Sequence, residues 1–109
     1  IASFTLGDQR YMAIEAGALD RFHHSISMMV ECEEQGEIDR LWAALLEGGS
    51  AEQCGWLRDR WGLAWQIVPR RLGELMGDPD PDVARRVVEA MLKMVKLDIA
   101  GLEAAARAG

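Results

Sequence analysis

The chain has 109 residues, half of them hydrophobic, and a formal net charge of −6. That length suits one domain that hides about two-thirds of its unfolded surface, and the hydrophobic content excludes a disordered chain. No apolar run approaches the ~20 residues of a membrane span, and the scattered basic residues make no footprint for nucleic acid or an anionic membrane surface.

The opening "IASFTLGDQRYMAIEAG" has no basic start and only short apolar runs, so no secretory leader is expected. Residues 3 to 6 and 10 to 15 read as two strands around Gly7-Asp8. In the second, Tyr11, Ala13 and Glu15 share one face, and Met12 and Ile14 the other. "ALDRFHH" is a connecting loop. "SISMMVEC", 25 to 32, is a strand with Ser25, Ser27 and Met29 on a polar face and Ile26, Met28 and Val30 on an apolar one. A helix over 34 to 47 follows, because Ile38, Leu41, Trp42, Leu45 and Leu46 recur at helical spacing and Gly48-Gly49 ends them.

After the loop "SAEQ", strands are expected at 53 to 58 and 63 to 68, joined by "DRWG". If residue 58 faces 63, then Cys54, Trp56, Leu63, Trp65 and Ile67 share the face that meets the helix. Gly55, Leu57, Ala64, Gln66 and Val68 then share the other. Pro69 stops the strand and "RRLGELM" makes a short helix. Asp80 as N-cap and Pro81 at the first helical position open a helix over 82 to 96. Asp98 opens a last helix, "IAGLEAAARA". Antiparallel hairpins with a single crossover helix indicate an α+β domain.

Three of the four tryptophans fall in "CGWLRDRWGLAWQIVP". Trp42, Trp56 and Trp65 are expected as core between helix and sheet. Trp61, in the hairpin turn, has no core to join and is expected as a dimer contact or a cavity lid. His23 and His24 are adjacent and point to opposite faces if extended, so they do not share a metal. Cys32 and Cys54 form no CxxC pair, which points to reduced, mostly buried thiols in a cytoplasmic protein. Glu15, Ser25, Ser27 and Gln66 are polar residues on inward strand faces. They either orient a ligand or meet water, and Glu15 could act as a general base if desolvated. No GxSxG, GxGxxG or P-loop occurs, so no nucleotide or other cofactor is expected. The methionines at 91 and 94 suit either an adaptable interface or a gap-filled core.

"ISMMVECEEQGEIDRLWAALLEGG", "QCGWLRDRWGLAWQIVP" and "DPDPDVARRVVEAMLKMVKLDIAGLEAA" together resemble the PhnB-like branch of the vicinal oxygen chelate superfamily. That branch is also labelled the 3-demethylubiquinone-9 3-methyltransferase domain, and its superfamily includes glyoxalase I, bleomycin-resistance proteins and extradiol dioxygenases. The resemblance implies paired βαβββ modules whose mixed sheets curl around a cavity, and assembly as a homodimer. The chain would be one such domain: the end of a first module (1–15), a second module (25–68) with a strand shortened near "SAEQ", and C-terminal helices (70–108). The first strand and helix of module one would lie upstream.

Metal-dependent members carry His, Glu or Gln on the central strands. The matching places here hold Tyr11 or Glu15, then Ser25, then Gln66, which do not make a glyoxalase-type metal site. The expected function is a cytoplasmic protein that binds an unidentified small molecule in the sheet cavity, lined by Tyr11, Glu15, Ser25, Ser27, Leu57 and Gln66. No catalytic residue can be assigned. Two alternatives remain: a divalent-metal lyase or isomerase of the same fold completed by upstream residues, and a structural module whose cavity is closed by its own side chains.

Overall fold

The computed structural model describes residues 1–17 and 20–108. Ala18 and Leu19 of the expected connecting loop, and Gly109, lie outside them. Strands β1 (Ala2–Leu6) and β2 (Gln9–Ala13) form an antiparallel hairpin. Then come β3 (Ser27–Cys32), α1 (Gln35–Leu46), β4 (Ser50–Ala51), β5 (Trp56–Arg58) and β6 (Ala64–Pro69). These build a mixed sheet in the order β3-β6-β5-β4, with β3 and β6 parallel and the other pairs antiparallel. Helices α2 (Arg70–Met76), α3 (Pro81–Met91) and α4 (Ile99–Arg107) complete the α+β fold.

The segment from β3 to β6 is a complete βαβββ module. The strand expected to be shortened near "SAEQ" is the two-residue β4, which lies at the edge of the sheet. Such short strands limit pairing with stray chains.

One face of the sheet is sealed by α1. Cys32, Ile38, Leu57 and Ile67 are fully buried there with Trp42, and Val30, Leu41, Leu45 and Trp65 pack around them. The stripe on α1 forms as its spacing predicts, and Gly48 takes the left-handed conformation just past its end. A second cluster of Leu75, Val87 and Leu102 ties α2, α3 and α4 together. Gln35 clamps this cluster to the module: its Oε1 accepts from Ile99 N at 2.8 Å and its Nε2 donates to Leu97 O at 3.0 Å.

Strand β2 ends at Ala13 and β3 begins at Ser27, each two residues short of expectation, and two further boundaries shift for one shared cause. The strand expected from residue 53 begins only at Trp56, because Cys54 and Gly55 are left-handed, with φ of 59° and 84°. The helix expected to reach 96 stops at Met91, with Asp80 capping its start as read. The segment after it leaves the helix, and its freed carbonyls Met94 O and Val95 O accept from Cys54 N and Gly55 N at 2.9 and 2.7 Å. A bridge between distant segments thus overrides two local preferences. Gly55 is required there: a Cβ would sit 2.9 Å from Ile67 O and 3.0 Å from Leu97.

The hairpin β1–β2 stands apart. Every residue in it is exposed, and its strands make their substantial contacts with each other. Phe4 stacks on Tyr11 with ring centroids 5.5 Å apart, on the face they share with Ala2, Leu6 and Ala13. The radius of gyration, 16.6 Å, exceeds the ~13 Å of a compact domain of this size.

Candidate functional site

The observed register of β5 and β6 decides which side chains face the open side of the sheet. Arg58 pairs with Ala64, not with residue 63. Asp59 causes the difference. Its Oδ1 accepts from Trp61 N and Leu63 N at 2.9 and 3.0 Å, its Oδ2 accepts from Trp65 Nε1 at 2.9 Å, and Asp59 N donates to Leu63 O at 3.0 Å. Leu63 is thereby drawn into the turn. A slip of one residue exchanges the faces of a strand. Leu57 therefore belongs to the sealed core and is no cavity residue, which corrects the expectation for it. Trp56 and Cys54, expected toward the helix, face the other way.

That open face carries a pocket of about 320 Å³. Its floor is Met29, Trp56, Gln66 and Val68 on three strands, and Leu72 and Met76 of α2 close it with Met91 of α3. The polarity is sparse. Gln66 projects from the central strand, and its Nε2 donates to Ser27 Oγ at 2.9 Å. Its Oε1 has no partner among the described residues. Glu31 lies at the edge and faces Arg70 across 3.9 Å. Among the described residues, no lysine or arginine lines the wall.

The structure thus brings Ser27 and Gln66 together and separates the other expected residues from them. Tyr11 is on the hairpin, stacked on Phe4. Glu15 lies beyond the end of β2 and is exposed. Ser25 precedes β3, and its Oγ lies 2.6 Å from His23 Nδ1. Cys54 and Cys32 are both free thiols. The Cys32 thiol is pushed up to about 11, chiefly by burial and then by its hydrogen bond with Glu37.

A polar network that the sequence did not reveal lies at the other end of β5. Arg58 Nε donates to Glu52 Oε2 at 3.1 Å, His24 Nε2 lies 2.9 Å from Glu52 Oε1, and Arg58 Nη2 lies 3.0 Å from His24 Nδ1. An Nε2–H tautomer of His24 satisfies both partners. The hydrogen bond from His24, followed by that from Arg58, holds the Glu52 carboxyl below the ordinary carboxylate range against partial desolvation. The Arg58 guanidinium thus bonds both His24 and Glu52. Among the described residues, no three His, Cys, Asp or Glu side chains converge as metal ligands do. Tyr11, Glu15, Ser25 and Gln66, at the places matched to metal ligands, are not brought together by this fold.

A βαβββ module with helices laid over the open face of its sheet defines the architecture. Residues 1–68 match the family described as 3-demethylubiquinone-9 3-methyltransferase, and the chain belongs to that family. It is also similar to a solved PhnB protein from Bacillus cereus that carries the same methyltransferase label. The two share 29% sequence identity at a TM-score of 0.54, over 62% of this chain and 61% of that one. The match therefore spans less than two-thirds of the Bacillus chain. Together the two findings place the chain in the PhnB-like branch of the vicinal oxygen chelate superfamily. No curated protein matches it. No helix among the described residues is long and apolar enough to cross a membrane.

Proposed function

We propose that this protein binds a small, uncharged, mainly apolar molecule with one hydrogen-bond donor, seated between the sheet and α2. The observation that carries this reading is Gln66. It is the central polar group of a wall that is apolar apart from Glu31 at its edge, its amide nitrogen is committed to Ser27, and its carbonyl oxygen is left to accept. Pockets of this kind draw affinity from apolar area and orientation from a few polar atoms. The volume fits a single-ring compound, and three methionines let the wall adapt. The lack of a basic residue on the wall disfavours an anion there, since nothing would offset its desolvation.

Phenol and anisole test this directly, because they differ in the donor. Phenol is expected to raise the melting temperature of the wild type more than anisole does, and Gln66→Ala is expected to abolish the difference. Equal shifts by both compounds, or a phenol shift that survives in Gln66→Ala, would remove Gln66 from the site.

The same reading includes a homodimer in the cytoplasm. A two-stranded hairpin is marginal in water by itself, and the exposed Phe4–Tyr11 face of β1–β2 supports cover by a second copy. The two free thiols fit a reducing compartment. Light scattering on the eluting protein tests the assembly, and a monomer at high concentration would overturn it.

A further inference from the structure

A second cavity, of about 580 Å³, lies between the segment before β3 and the β5–β6 turn. Its chemistry is the reverse of the first. Arg21, Arg58 and Arg60 line it with Phe22 and Trp61, and among the described residues Asp20 is the one acidic residue on its wall. This concentration of positive charge stands out on a chain whose net charge is −6.

The three arginines differ in what holds them. Arg58 is committed: besides Glu52 and His24, its Nη1 donates to Gly62 O at 3.0 Å and Phe22 O at 3.4 Å. It therefore acts as a strut that ties the two walls together. Arg21 and Arg60 have no ion-pair partner among the described residues. Arg60 Cζ lies 5.4 Å from the centroid of the Trp61 ring, which keeps the guanidinium over an aromatic surface. Trp61 itself is 74% exposed, a costly position for so large an apolar ring unless something covers it. The turn that carries it is fixed from below by the buried Asp59 carboxylate, so this wall is set before any ligand arrives.

We propose that this cavity is a binding site for a small organic anion with a flat apolar body, an aromatic carboxylate in class. Its ring would lie against Trp61 and Phe22, and its carboxylate would be met by Arg21 and Arg60. Guanidinium groups match carboxylates in geometry and charge, and the aromatic side chains offer a flat apolar surface beside them. Arg58 serves here as a positioning residue through its hold on Phe22 O and Gly62 O.

The test is benzoate titrated into uniformly ¹⁵N-labelled protein, with the Trp61 indole resonance assigned by Trp61→Phe. Benzoate is expected to move that resonance saturably and to leave those of Trp42 and Trp65 in place. Arg21→Gln and Arg60→Gln, both exposed substitutions, are each expected to weaken binding about tenfold. The proposal is overturned if benzoate gives no saturable shift or if benzyl alcohol binds as tightly. It is equally overturned if neither arginine variant weakens binding, or if inorganic phosphate saturates the site and excludes benzoate.

Discussion

The two faces of the four-stranded sheet are built from the same strands and end in opposite states. Toward α1, Cys32, Leu57 and Ile67 interlock with Ile38 and Trp42 until no solvent reaches them. Toward α2, Met29, Trp56, Gln66 and Val68 stay partly uncovered around a pocket. The difference lies in what covers each face. Helix α1 runs for 12 residues and carries a continuous apolar stripe. Helix α2 has 7 residues and follows Pro69 directly, so it closes only part of the area. Close packing is concentrated on the first face, and open space on the second.

The sharpest way to break this contrast is truncation on both faces. Leu57→Ala should cost about 2–5 kcal/mol in urea unfolding, as for a fully buried leucine with no room to collapse. Met29→Ala, on the open side, should cost well under half as much. Equal losses would mean that the pocket face is as tightly packed as the core. Next in size is the bridge between the sheet and the end of α3. Gly55→Ala forces a side chain into a left-handed residue against Ile67 O, and about 1–3 kcal/mol of stability should be lost. A neutral result would show that the bridge to Met94 O and Val95 O is dispensable.

Thiol labelling sharpens the same contrast with less perturbation. At pH 8 a thiol pushed up to about 11 is thiolate in roughly one molecule in a thousand. Cys54, on the pocket wall, should therefore react with iodoacetamide at least ten times faster than Cys32. Comparable rates would place Cys32 outside the sealed core.

The smallest effect concerns Glu52. Its folded-state pKa is lowered, so its contribution is present above the ordinary carboxylate range and disappears as pH falls through the folded value. Glu52→Gln should be less stable than wild type at pH 7 by about 1 kcal/mol or less, and the gap should close on acidification. A gap that persists undiminished in acid would assign the loss to packing and not to the charge.

Much of this architecture was legible in the residues. The α1 stripe, the Asp80–Pro81 helix start and the alternation of Ser27 and Met29 against Val30 all report local periodicity, and all appear where that periodicity puts them. The faces of β5 were not legible, because they turn on one residue of register. The register is set by three hydrogen bonds to a buried Asp59, an arrangement that "DRWG" does not announce. That single slip moved Leu57 out of the candidate site and Trp56 into it. The Arg58–Glu52–His24 network was invisible for a different reason: its members lie 6 to 34 residues apart and meet only through folding. That Gln66 and Ser27 lie on the same side of the sheet was legible because strand alternation alone sets it.

The most direct test of the account is phenol titrated into ¹⁵N-labelled protein, with the indole and side-chain amide resonances followed together. The account predicts saturable shifts of the Trp56 indole and the Gln66 amide, while the Trp42 and Trp65 indoles remain fixed. Shifts that appear first at Trp42 or Trp65, or no saturable shift at Gln66, would contradict the assignment of one face to stability and the other to binding.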